Sequence, residues 1–194
     1  MALAQQYVEK THYTEAEYFE FERTAFGRWE HVNGEVRQLS SGTDDHGMII
    51  TNLICALGNV LVPQGNRVYM SNMKVHTGNS VNTFPDVMAV IGPRHYHTGR
   101  TDIITNPALV VEVLSSVSRD YDRCEKFDCY RTIETLTDYL LVEQDKPSII
   151  FYTRQDDHWE MREVKGLDGA VHLPSVNVTL ALRDVYRLIE FGAE

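Results

Sequence analysis

The stretch Pro107-Ala108-Leu109-Val110-Val111-Glu112-Val113-Leu114 constrains this chain more than any other. Five of its eight positions are Leu or Val, the near-continuous apolar run of a central strand covered on both faces. One carboxylate, Glu112, interrupts it. An ionised carboxylate there gives up its hydration, and a fold keeps one only beside a metal ion, a partner or a proton. Pro85-Asp86-Val87-Met88-Ala89-Val90-Ile91 repeats the pattern, with an acid at the mouth of a second apolar run. Two buried strands that each carry one acid predict a site.

A chain of 194 residues is long enough to bury a sizeable core and is read as one domain over 1–194. The N-terminus has neither a basic head nor an apolar centre, so it is not read as a signal peptide. No apolar run approaches the length needed to cross a bilayer, and no membrane association is expected. Cys55, Cys124 and Cys129 are an odd count in helical segments, read as reduced thiols in a cytoplasm. Cys124 and Cys129 alone lack the four-ligand pattern of structural zinc. The 18 basic and 28 acidic residues give a net charge of -10, which works against indiscriminate nucleic-acid binding. A locally basic cleft, or a metal ion, could still serve a nucleic-acid enzyme.

Along the chain, Thr14 and Glu17 form a capping box that starts a helix of roughly ten residues. Arg28 to Leu39 reads as a hairpin about Asn33-Gly34, both tolerant of positive φ. Glu30 precedes that turn and, on spacing alone, is a solvent-facing strand residue. Ser40 to Gly47 is a loop, with Asp44 or Asp45 capping a helix that runs from Met48 to Leu61, and His46 in its first turn. Arg67 to Val75 and Phe84 to Ile91 are strands. Gly92 to Arg100 is a locally basic loop, either solvated or in contact with phosphate, and its His95-x-His97 pair has no acid beside it. A polar connection from Ser115 to Asp120 leads into a helix from Tyr121 to Glu134. Asp122 and Glu125 resemble a capping box there, and Lys126 and Tyr130 share a face. Asp138 to Glu143, Ser148 to Thr153 and Trp159 to Val164 are strands. Val176 to Leu180 leads into a closing helix from Leu182 to Phe191. The order mixes α and β around one sheet.

Asp86 and Glu112 on adjacent strands could supply the one or two carboxylates that magnesium needs. Phosphodiester hydrolysis uses such an ion to polarise phosphate and acidify a water. A lysine beside it can orient the water or offset transition-state charge. Pro85-Asp86, then Val111-Glu112-Val113-Leu114-Ser115, then Lys126 and Tyr130, resembles the PD-(D/E)XK nuclease superfamily, and within it the Uma-two family of restriction-endonuclease-like proteins. The resemblance extends over about Tyr13 to Phe191 and includes Trp29 to Glu35, His46, and Asp138 to Val142.

The resemblance implies an α/β restriction-endonuclease-like core: a central mixed sheet flanked by helices, an N-terminal helix and hairpin, and extra C-terminal strands. It implies that Asp86, Glu112 and the main-chain carbonyl of Val113 hold Mg, or Mn, with Glu30 as an additional acid. Leu114 occupies the position of the usual Glu-x-Lys lysine. In the family the lysine comes from the following helix, which points to Lys126, with His46 and Tyr130 in support. The Ser40 to Asp45 loop departs from the family in lacking a Pro before the His. The activity implied is metal-dependent endonuclease cleavage of DNA. A homodimer is expected, because duplex cleavage needs two active sites and symmetric pairs are the commonest oligomers. A hydrolase of RNA or single strands is a further alternative, since a metal site does not itself read the sugar. A catalytically inactive nuclease-fold module that binds nucleic acid or a protein is the other reading.

Overall fold

The computed structural model describes residues 10–115, 119 and 122–192. The N-terminal stretch read for a leader, and Ser116, Val117, Ser118, Asp120 and Tyr121 of the polar connection, lie outside them. The chain opens with α1 (Glu15–Glu22), the hairpin β1 (Trp29–Val32) and β2 (Glu35–Gln38), and the long helix α2 (Asp44–Leu61). β3 (Arg67–Met70), β4 (Lys74–His76), β5 (Asn82–Thr83), β6 (Val87–Val90), β7 (Ile103–Ile104) and β8 (Leu109–Leu114) follow. A π turn, Asp122–Lys126, runs into α3 (Phe127–Tyr130). β9 (Asp138–Glu143), β10 (Ser148–Arg154), β11 (Trp159–Lys165), β12 (Ala170–Leu173), β13 (Val178–Ala181) and the short α4 (Leu182–Val185) complete it.

The central sheet has the order β11-β10-β9-β8-β6-β3. Its strands are antiparallel except for β8 and β9, which run parallel. A parallel pair needs a crossover, and the segment that ends in the π turn and α3 supplies it. All six residues of β8 are buried. Their period of two divides the core: Leu109, Val111 and Val113 pack with Ile49, Leu53 and Leu57 of α2. Val110 and Leu114 join Tyr130 and Tyr139 on the other face. Glu112 has the parity of that second face, where π turn and α3 sit.

A second sheet, β2-β1-β5-β4-β7, stands beside the first, and β12 pairs with β13 alone. The hairpin turn forms as its sequence dictates: Asn33 has φ 50° and Gly34 φ 87°. Gly34 has a second reason to be glycine, since a Cβ there would lie 2.1 Å from the His12 ring. The Thr14–Glu17 capping box also forms.

Several expectations change. α2 starts earlier than the apolar stripe suggests, and Thr43, not Asp44 or Asp45, caps it by accepting the His46 N–H at 3.2 Å. With its 3-10 extension it spans Asp44–Gln64 and is, by length and composition, long and apolar enough to cross a membrane, which the sequence reading missed. It also buries Ile49, Ile50, Leu53, Leu57 and Leu61 against the protein, as a core helix does. The strand read over Arg67 to Val75 is two strands in different sheets, split by a turn after Met70. The helix read from Tyr121 is a π turn and one α turn, because Lys126 is drawn inward to Glu112 and Glu30 and Asp122 pairs with it there instead of facing water. The closing helix has four residues, and β12 was not predicted. All three cysteines are free.

Candidate active site

Four segments converge on one cleft of about 450 Å³: the mouth of β6, the centre of β8, the π turn and the first turn of α2. Asp86 accepts the Val113 N–H on Oδ2 at 2.8 Å, while its own N–H faces Glu112 Oε2 at 3.4 Å. The two carboxylates are thus locked across neighbouring strands. Glu112 is 2% exposed, and its Oε1 accepts from the Tyr130 hydroxyl at 2.7 Å and from Lys126 Nζ at 3.1 Å. Oε2 is the less engaged oxygen.

Lys126 reaches three acids at once, at 3.1 Å from Glu112, 3.4 Å from Asp122 and 3.5 Å from Glu30. The wide π turn brings Asp122 and Lys126 to the same side. Tyr139 anchors its start by donating to the Asp122 carbonyl at 2.8 Å. The bland readings of both Glu30 and Lys126 as surface residues fail: both are buried. Glu30 accepts the Phe84 N–H at 2.8 Å and the Thr83 hydroxyl, which ties β1 to the approach of β6. His46 Nε2 stands 3.3 Å from Asp86 Oδ1.

The charges are unbalanced. Burial pushes the Glu112 carboxyl well above the usual range, opposed by Lys126 and reinforced by the negative charges of Asp122 and Asp86. Burial works against the charged form of Lys126, yet Glu112 and Glu30 outweigh it and hold the ammonium well above its ordinary value. Burial and Glu112 keep the Tyr130 hydroxyl protonated, so it serves as a donor. The hydrogen bond to Asp86 raises His46. Four acids stand against Lys126, Arg28 and a histidine, which leaves room for further cationic charge. The Asp86 and Glu112 carboxylates are hard oxygen donors, the kind that suits magnesium or manganese. The residues present fit a divalent ion.

A family model described as "Putative restriction endonuclease" matches residues 15–183. The chain belongs to this family, Uma2. Two uncharacterized proteins of Synechocystis sp. are relatives. One, slr1290, is 32% identical over 177 residues, covering 90% of this chain and 92% of that protein. The other, sll1609, is 28% identical over 167 residues, covering 85% and 94%. A crystal structure titled as a putative nuclease belonging to DUF820, from Anabaena variabilis, superposes with a TM-score of 0.72 at 20% identity. It covers 89% of this chain and 97% of that one, and shows the shared fold.

Every residue that the resemblance assigned to the Uma2 site, namely Glu30, His46, Asp86, Glu112, Val113, Lys126 and Tyr130, lies in or directly against this cleft. Leu114, at the usual lysine position, is buried in the apolar cluster with Tyr130 and Tyr139. Sequence reasoning missed Asp122 and Arg28, both of which line the cleft. Asp122 was read as a helix cap, although its four-residue spacing from Lys126 was a usable signal. Arg28 had none, since it is placed by its bond to the Ser71 carbonyl at 2.6 Å. In the basic loop, Arg100 is committed to Asp102 and Glu22 and stacks on Phe19, so it is not placed for phosphate.

Proposed function

We propose that this Uma2 protein is a metal-dependent endonuclease that hydrolyses phosphodiester bonds in DNA. The observation that carries the reading is Lys126: its ammonium is held among Glu112, Asp122 and Glu30, beside the Asp86–Glu112 pair. A magnesium or manganese ion held by Asp86, Glu112 and the Val113 carbonyl supplies phosphate polarisation and an acidified water when bound.

The chain's own residues do the rest. His46 and the Val113 N–H fix the Asp86 carboxylate, and Tyr130 fixes Glu112. Asp122 and Glu30 steer Lys126 toward the cleft, where its ammonium orients a water and offsets charge that develops on phosphate oxygens. Arg28, a second cation lining the cleft, would contact a flanking phosphate. Cutting both strands of a duplex takes two such sites, which a twofold homodimer supplies. A cytoplasmic location agrees with the three free cysteines.

Plasmid DNA incubated with the protein and Mg2+ or Mn2+ tests this. Cleavage is expected from the wild type and not from Asp86→Ala. Lys126→Gln should lose on the order of 10²–10³-fold in turnover, as when a transition-state charge donor is removed. Linear product, together with sedimentation at twice 22.2 kDa, reads the dimer. No cleavage of duplex, single-stranded or RNA substrates with any divalent ion would contradict the proposal. The net charge of -10 favours the non-catalytic binding module as second reading. That module predicts nucleic-acid or protein binding with a melting temperature indifferent to Mg2+ and Mn2+.

A further inference from the structure

Outside the cleft, Glu15, His76 and His97 meet on the small-sheet side, each offering a ligand atom within 4.8 Å of the other two. They come from three distant segments: the first turn of α1, the last residue of β4, and the loop between β6 and β7. His76 Nδ1 lies 3.1 Å from Glu15 Oε1, and His97 Nε2 lies 3.5 Å from Glu15 Oε2. Ligands on a tetrahedral zinc at 2.0–2.1 Å are separated by about 3.3 Å. The two histidines face different oxygens of Glu15, so a common ion draws the three ligand atoms in from the 4.8 Å within which they already lie.

Hydrogen bonding alone accounts poorly for His97, whose Nε2 contact with Glu15 is at the far limit of a hydrogen bond. The two imidazoles sit with ring centroids 4.5 Å apart beside a single carboxylate. Asn82 steadies the group, donating to Glu15 Oε1 at 2.9 Å with its Oδ1 3.2 Å from His76 Nδ1. All three side chains are partly exposed, at 19–26%, which leaves an entry path and room for a water.

We propose that Glu15, His76 and His97 form a second metal site, specific for zinc-class transition ions, that clips α1 and the β6–β7 loop to the small sheet. Two imidazoles and one carboxylate prefer such ions, whereas the carboxylate oxygens of Asp86 and Glu112 prefer magnesium. The ion takes one bond from each residue and a water in the open position. The proposal is independent of nuclease activity, because none of the three residues lines the cleft.

Chelator-stripped full-length protein, titrated with Zn2+ and in parallel with Co2+, tests it in four forms: wild type, Asp86→Ala, His97→Phe and Glu15→Gln. One equivalent of Zn2+ should raise the melting temperature of the wild type and of Asp86→Ala, and Co2+ should give the visible spectrum of a four- or five-coordinate site in both. His97→Phe keeps the edge contact with Phe19 but loses both nitrogens, so affinity should fall by more than about tenfold. Glu15→Gln reads the same loss should His97→Phe fail to fold. Zinc binding that survives both ligand variants, that disappears in Asp86→Ala, or that leaves the wild-type melting temperature unmoved would overturn the proposal.

Discussion

Glu112 is a carboxylate taken out of water and then given back, one contact at a time, what water had supplied. Tyr130 and Lys126 hold one of its oxygens, and Asp86 N–H faces the other. Tyr130→Phe removes the shortest of these without changing shape. It should destabilise the protein by about 1–3 kcal/mol, the cost of under-satisfying a buried acceptor. Chemical denaturation of the two proteins measures this; an unchanged midpoint would mean that Glu112 does not depend on Tyr130. At this scale the sequence was informative where a residue type is expensive in its setting. An acid inside a Leu/Val strand announces itself, whereas Leu114 stands out only against the family pattern that the resemblance supplies. Glu30 did not, because its burial depends on Thr83 and Phe84, fifty residues on. Asp122 was hidden by resembling an ordinary helix start.

Among the elements, the first turn of α2 shows how a preceding loop sets the geometry of the cleft. Gly42 lies against His46, and a Cβ there would come within 2.6 Å of its Cδ2 and 3.0 Å of its Cγ. Gly42→Ala should push the imidazole off Asp86 and lower cleavage by about tenfold or more, as small misplacements do. It should leave thermal stability nearly unchanged, because Gly42 is exposed and outside the helix. Full activity in this variant would remove His46 from the account. α1 is attached by charges: Lys74 pairs with Glu22 and with Asp102, and Arg100 bridges Glu22 and Asp102. The hydrogen bond from Arg100 holds the Asp102 carboxyl down at about 2. A depressed acid contributes stability above its unfolded value, and that contribution is lost as pH falls through the folded one. The melting-temperature gap between wild type and Asp102→Asn should therefore be present above pH 4 and close between about pH 4 and 2. A gap that does not vary with pH would show that the pair contributes through packing alone. The hairpin, the capping box and the central strands could be read in advance because their signals are local. The π turn could not, since long-range ion pairs override the helical pattern.

For the whole molecule, the α/β class and the order of most strands followed from apolar periodicity. Two sheets were read as one because the break at Met70 carries no Pro or Gly; it is set by which sheet each half can pair with. The Glu15–His76–His97 cluster was out of reach for a related reason: His97 was seen without its acid, which the fold brings from α1. The net charge of -10 works against holding a duplex, and the cleft adds to this by gathering four acids. A divalent ion between Asp86 and Glu112, as proposed, would resolve both difficulties at once. A crystal soaked in manganese and measured at the manganese edge tests for it. An anomalous peak is expected between Asp86 and Glu112, within ligand distance of the Val113 carbonyl. A map with no peak there, in crystals that bind manganese elsewhere, would contradict it.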